Sequence, residues 1–125
     1  ENRSKLMVAS YMGGSAIATT YVGLVHPFSA GLSVVFGLHH CVANCMAMRA
    51  MKEFYPTEFN DFWKMAEIQG IDIPKLHFNR ELKEDHYEKL FASTIIHEKP
   101  LTNALGSDFK KILSPDKVKK MFMMI

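Results

Sequence analysis

His26 and His40 stand inside a stretch, Leu6 through Met48, that holds no Asp, Glu, Lys or Arg. Imidazole titrates near neutrality, and in its neutral form it binds divalent metals strongly. Apart from Cys41 and Cys45, imidazoles are the only groups in this stretch able to do either. The chemistry on offer is metal binding or proton handling by histidine in an apolar setting. Fourteen residues separate His26 from His40. On one straight helix that separation is about 21 Å, too far for one ion with metal–nitrogen bonds of about 2.1 Å. Gly37 can end a helix and turn the chain, so that His26 and His40, each at the start of a helix, converge. On spacing alone a buried, hydrogen-bonded structural pair is the default, and metal ligation is the alternative.

The elements that must position this pair read as helical nearly throughout. All 28 charged residues, 15 basic and 13 acidic, lie in the first five positions or from Arg49 onward. Such segregation predicts that the uncharged block is buried. Leu6 to Ile17 reads as a helix that tolerates Gly13 and Gly14, fading at Thr19–Thr20–Tyr21. Pro27 suits a helix start, and Pro27 to Phe36 forms a short apolar helix stopped by Gly37. A third helix runs from His40 through Phe54. A fourth begins at Thr57–Glu58 and ends near Gln69, with Phe59, Phe62, Trp63 and Met65 on its apolar side. Ile71 to Glu81 reads as a loop and Glu84 to His97 as an amphipathic helix broken by Lys99–Pro100. Ser114–Pro115–Asp116 opens the last helix, with a cap, a proline in the first turn and an acid at the positive end of the dipole. No strand and no internal repeat is evident. The expectation is an all-α fold forming a single helical domain over residues 1–125.

Composition excludes several classes. A net charge of +2 is too small to argue for nucleic acid. The late lysines, Lys110, Lys111, Lys117, Lys119 and Lys120, alternate with apolar residues as on a solvated face, with no aromatic platform beside them. Two cysteines four apart on a helix cannot build a disulfide scaffold, which points to a reducing, cytoplasmic setting. A zinc cluster of Cys41, Cys45, His39 and His40 is disfavoured by their crowding on one helix; small buried packing residues is the reading for both cysteines. No unbroken run of about 18 apolar residues argues for a membrane span. His77, His86 and His97, among charged or loop positions, read as surface residues. The methionines read as core filler, with a partner surface as the alternative setting for the last ones. Glu67 and Asp72 lack a partner for paired-carboxylate catalysis.

Gly23-Leu24-Val25-His26, followed fourteen residues later by His40 in His39-His40-Cys41-Val42-Ala43-Asn44, resembles the signature of the iron-containing (group III) alcohol dehydrogenases. Lys5 to Gly14, Glu53-Phe54-Tyr55-Pro56 and Lys99-Pro100-Leu101-x-Asn103-x-x-Gly106 resemble that family too, so the likeness runs the length of the chain. The branch most similar is that of the 3-deoxy-manno-octulosonate 8-oxidases.

The resemblance implies that His26 and His40 bind one divalent metal, Fe²⁺ or Zn²⁺. It implies two further ligands, an Asp and a His, upstream of Glu1, together with a nucleotide-binding domain carrying NAD(P). The chain then reads as the C-terminal helical part of a two-domain enzyme, a homodimer when intact, with its uncharged block buried against the absent part. The reaction implied is oxidation of a sugar acid's terminal hydroxyl to an aldehyde, with a small alcohol or polyol as the alternative substrate. A non-catalytic helical interaction module is the competing class. Phe28 and Ser29 are expected to line the substrate pocket, and His39 to orient substrate or support a ligand. Two positions depart from the family pattern. Ala30 stands where many members carry a further histidine, which removes a proton relay through that position. Cys41 stands where the family has glycine.

Overall fold

The computed structural model describes residues 1–76 and 82–125. His77 and the end of the expected 71–81 loop lie outside them. Among the described residues the chain is all-α, with no strand. The helices are α1 (Asn2–Thr20), α2 (Val25–Phe36), α3 (His40–Ala47), α4 (Pro56–Ile68), α5 (Glu84–Ile95), α6 (Glu98–Leu105), α7 (Phe109–Ile112) and α8 (Pro115–Met124); a 3-10 turn, Met48–Ala50, follows α3.

Several boundaries follow local chemistry. Gly37 adopts the left-handed conformation (φ 67°) and ends α2, as its missing Cβ permits. Ser114 caps α8 by accepting from the Lys117 N–H at 3.3 Å. Three expectations are corrected. The third helix does not reach Phe54: it tightens into the 3-10 turn after Ala47. Pro100 does not simply break a helix. It sits in the first turn of α6, where a missing N–H costs nothing. Met65 faces solvent rather than the apolar side of α4.

α2 is the central element, packing on α3, α5 and α6. Leu24, Phe28 and Leu32 form its buried side with Leu90, Leu101, Val118 and Phe122. Phe28 lies 5.0 Å from Phe122, centroid to centroid. The α2–α5 approach depends on Gly31, since a Cβ there would meet Thr94 Oγ1 at 2.8 Å. The lysine-rich end is largely neutralised: Lys110 pairs with Glu98, Lys111 with Asp108, Lys117 with Glu53 and Lys119 with Glu84.

The uncharged block divides sharply. Its second half supplies Leu24, Phe28, Leu32, Ala43, Met46 and Ala47 to the core while Val34, His39, His40, Cys41 and Val42 are exposed, and no residue of α1 is buried, which corrects the expectation of burial. Leu6, Met7, Tyr11 and Met12 are all more than 60% exposed. α1 exposes these apolar side chains together with Val8 and Ile17, and no helix among the described residues covers them. No single helix is long and apolar enough to cross a membrane, and α1 and α2 meet at a bend of 109°.

Glycine to alanine inside a helix ordinarily adds stability, but Gly31→Ala is expected to cost about 1–3 kcal/mol, because Thr94 must be displaced. Denaturant melts of Gly31→Ala, Thr94→Ala and the double variant check this. The double variant should recover most of the loss, showing positive coupling.

Candidate metal centre

Four hydrogen bonds converge on residues 22–26, at the start of α2. The Leu24 N–H donates to the Tyr55 hydroxyl at 3.1 Å. That approach is possible because residue 23 is glycine: a Cβ there would lie 2.8 Å from the same oxygen. Asn103 Nδ2 donates to the Val22 carbonyl at 3.4 Å. The His26 N–H closes a turn onto the Gly23 carbonyl at 3.3 Å, and Ser29 Oγ donates to the His26 carbonyl at 2.9 Å. Segments far apart in sequence, around Tyr55 and Asn103, thus hold the backbone that carries His26.

α2 carries the chain about 15 Å beyond His26, ten residues at about 1.5 Å each. Gly37 reverses it, and extended His39 (φ −60°, ψ 131°) leads into α3. His40 then opens α3 with its ring centroid 5.1 Å from that of His26, the planes at 77°. The convergence expected from the Gly37 turn is what the chain adopts.

A third imidazole joins them. His97 lies 5.7 Å from His26, again at 77°. The expectation that His97 is a surface residue is corrected: it is half-buried at the junction of α5 and α6. Its charged neighbours Glu98 and Lys99 masked it, while the preceding Ile95–Ile96 was the signal of an apolar approach. His86 is half-buried as well. Its Nδ1 accepts from the Lys83 N–H at 3.1 Å, capping α5, and its ring lies 5.7 Å from that of Phe36.

The other named residues fall in varied places. His39 is exposed at the start of α3 and makes no side-chain cap. Phe28 and Ser29 are fully buried, the first against Phe122 and the second on the His26 carbonyl. Cys41 is exposed and Cys45 half-buried, so the expectation that both are small buried packing residues fails for Cys41. On a helix whose buried positions are Ala43, Met46 and Ala47, residue 41 turns away from the core.

Burial holds the His26 pKa below its ordinary value, and the neighbouring His40 and His97 push it further the same way. The neutral imidazole this favours is the form that donates a lone pair to a metal. Centroids about 5 Å apart suit two imidazoles on one ion, given metal–nitrogen bonds of about 2.1 Å and a tetrahedral angle. The donor chemistry fits. The donor number on this chain does not: among the described residues, no group of three or more His, Cys, Asp or Glu side chains is arranged to hold a metal. The His39–His40–Cys41–Cys45 cluster is thereby set aside.

No protein-family model matches the chain. Among curated proteins it is similar to methanol:N,N-dimethyl-4-nitrosoaniline oxidoreductases. It is 30% identical over 71 residues to that of Mycobacterium sp. (strain DSM 3803 / JC1), covering 56% of this chain and 17% of the relative. It is 29% identical over 75 residues to that of Rhodococcus erythropolis, covering 59% and 18%. The enzyme of Amycolatopsis methanolica is 30% identical over 71 residues, 56% of this chain and 17% of its own. The chain spans less than a fifth of the length of these relatives. The similarity is to methanol oxidoreductases and is distant, and none of the three is an octulosonate oxidase.

The lowered His26 pKa has a definite consequence for stability. On acidification the unfolded chain takes up a proton before the folded one. The contribution is therefore present above the unfolded value of about 6.5 and is lost as pH falls toward the folded-state value. Urea midpoints should drop between about pH 7.5 and pH 5.5, and His26→Gln should show a smaller drop; an equal drop contradicts the assignment. Tyr55→Phe should cost about 1 kcal/mol in the same assay through the lost Leu24 bond.

Proposed function

We propose that this chain is the helical part of a metal-dependent alcohol oxidoreductase, with His26 and His40 as two ligands of one Fe²⁺ or Zn²⁺. The juxtaposition of these rings, 5.1 Å apart across the Gly37 turn, carries the reading. The distant similarity to alcohol oxidoreductases supports it. The remaining ligands, an Asp and a His, and the NAD(P) site are assigned to a nucleotide-binding domain that packs against this chain. The fully exposed, apolar α1 is the surface suited to meet it. The intact enzyme is proposed to be a cytoplasmic homodimer that engages neither membrane nor nucleic acid.

When bound, the ion supplies Lewis acidity that lowers the pKa of a substrate hydroxyl. A bound nicotinamide would supply the acceptor for the hydride lost from the carbon that carries the hydroxyl, the hydroxyl proton leaving to solvent. The chain's own residues set the stage. Tyr55 and Asn103 fix the backbone ahead of His26. Burial favours the neutral form of His26, whose lone pair a metal would take. His97, beside His26, is placed to orient that ring or to hydrogen-bond substrate. His39, exposed next to His40, is a second candidate for contact with substrate.

The substrate proposed is a sugar acid of the 3-deoxy-octulosonate type, oxidised at its terminal hydroxyl. The similarity to methanol oxidoreductases favours a simple alcohol as the second reading. The exposed α1 also suits a non-catalytic interaction module.

One experiment separates these readings. The full-length protein and its His26→Ala and His40→Ala variants are assayed for metal by elemental analysis and for oxidation of methanol, glycerol and 3-deoxy-octulosonate. The proposal expects about one metal per chain, lost in both variants, and activity on the sugar acid that falls at least about 100-fold in each variant. Activity on methanol alone selects the second substrate. Metal-free protein with no activity leaves the interaction module.

A further inference from the structure

We propose that the cleft between the end of α1 and the first turns of α6 binds the hydroxyl-rich, carboxylate-bearing end of the substrate. Calling the ligand a substrate rests on the oxidoreductase reading; the cleft's own chemistry does not. The cleft has a volume of about 690 Å³ and is lined by Thr19, Thr20, Tyr21, Lys99, Thr102 and Asn103, with Glu98 at one side. That is an ordinary size for a small-molecule site.

Its charge favours an anion. Lys99 is the one cation among these lining residues. Its Nζ lies 4.4 Å from the centre of the Tyr21 ring, and no carboxylate among the described residues pairs with it. The one acid, Glu98, is already engaged by Lys110 at 2.7 Å. An incoming carboxylate therefore meets an ammonium group whose charge is not neutralised.

Its hydrogen-bonding groups favour hydroxyls. Thr19 Oγ1 donates to the Ser15 and Ala16 carbonyls at 3.1 and 3.0 Å, and Thr20 Oγ1 donates to Ala16 at 2.8 Å. Asn103 Nδ2 is directed at the Val22 carbonyl. What remains is a mixed set: the second Nδ2 hydrogen and the Oδ1 of Asn103, the Thr102 hydroxyl, and the acceptor oxygens of Thr19 and Thr20, which suits hydroxyls that both donate and accept. A chain of hydroxyls ending in a carboxylate matches this set, whereas methanol has nothing to fill it.

No histidine lines the cleft itself, but both of its walls are continuous in sequence with the histidine-bearing segments. One wall, Thr19 to Tyr21, runs through Val22 into Gly23 and His26. The other starts at Glu98, the residue after His97. Tyr21 joins them in a left-handed conformation (φ 70°), unique among the described non-glycine residues. Such strain costs about 1–3 kcal/mol and is characteristic of ligand sites.

The test is calorimetric titration of the full-length protein with D-gluconate and with sorbitol, its neutral counterpart. Wild type, Lys99→Met, Lys99→Arg and His26→Ala are compared, with thermal melts confirming that each is folded. Gluconate should bind more tightly than sorbitol. Lys99→Met should weaken gluconate about tenfold and leave sorbitol unchanged, while Lys99→Arg restores the preference. Failure of gluconate to bind, equal affinity for both compounds, or an unchanged gluconate affinity in Lys99→Met overturns the proposal. His26→Ala should keep the preference for the acid. If metal content survives His26→Ala while the Lys99 dependence holds, the cleft stands and the metal assignment fails.

Discussion

The position of His26 depends on how closely the Gly23–Leu24 backbone approaches the Tyr55 hydroxyl. Glycine at 23 leaves room for that oxygen, and the Leu24 N–H, at the unsatisfied start of α2, gains a partner there. A helix start with unmet donors is costly when half-buried. The bond thus solves a capping problem and fixes where the first turn of α2 lies. Once that turn is set, the length of α2 and the reversal at Gly37 decide where His40 arrives. The close α2–α5 contact at Gly31 decides where His97 arrives. The three rings meet because three backbone constraints agree.

The same chain leaves α1 bare. Its exposed Leu6, Met7, Val8, Tyr11, Met12 and Ile17 are unfavourable in water, since hydrophobic burial is the dominant force for folding and association. Isolated helices of this length are marginal even with strong helix formers, and α1 carries Gly13 and Gly14. An exposed apolar surface of this extent is what interaction faces look like. The proposed nucleotide-binding domain would supply both the cover for α1 and the ligands that the histidine cluster lacks. One partner would then complete the packing and the site together.

Much of this was legible beforehand. The all-α class and the start of α5 followed from the periodicity, and the starts of α4 and α8 from prolines and a cap. The meeting of His26 with His40 followed from a glycine at the one place where the chain had to turn. What escaped reading was tertiary. Nothing local marks Tyr55 as the partner of Leu24, because the bond spans 31 residues. His97 was obscured by its charged neighbours, although charge on the next residues says little about the direction of a side chain at a helix junction. The burial expected of the whole uncharged block failed for α1 because composition reports a tendency to be covered, not what does the covering. Cys41 was misread for a related reason: four-residue spacing placed it on a face without saying which face was inside.

The central claim is that His26 and His40 share one ion. X-ray absorption at the metal edge of the full-length protein counts imidazole ligands directly. The account predicts several histidine nitrogens at about 2.0–2.1 Å, with the imidazole count falling by one in His40→Ala. An unchanged imidazole shell in that variant, or a shell without imidazole in the wild type, would contradict it.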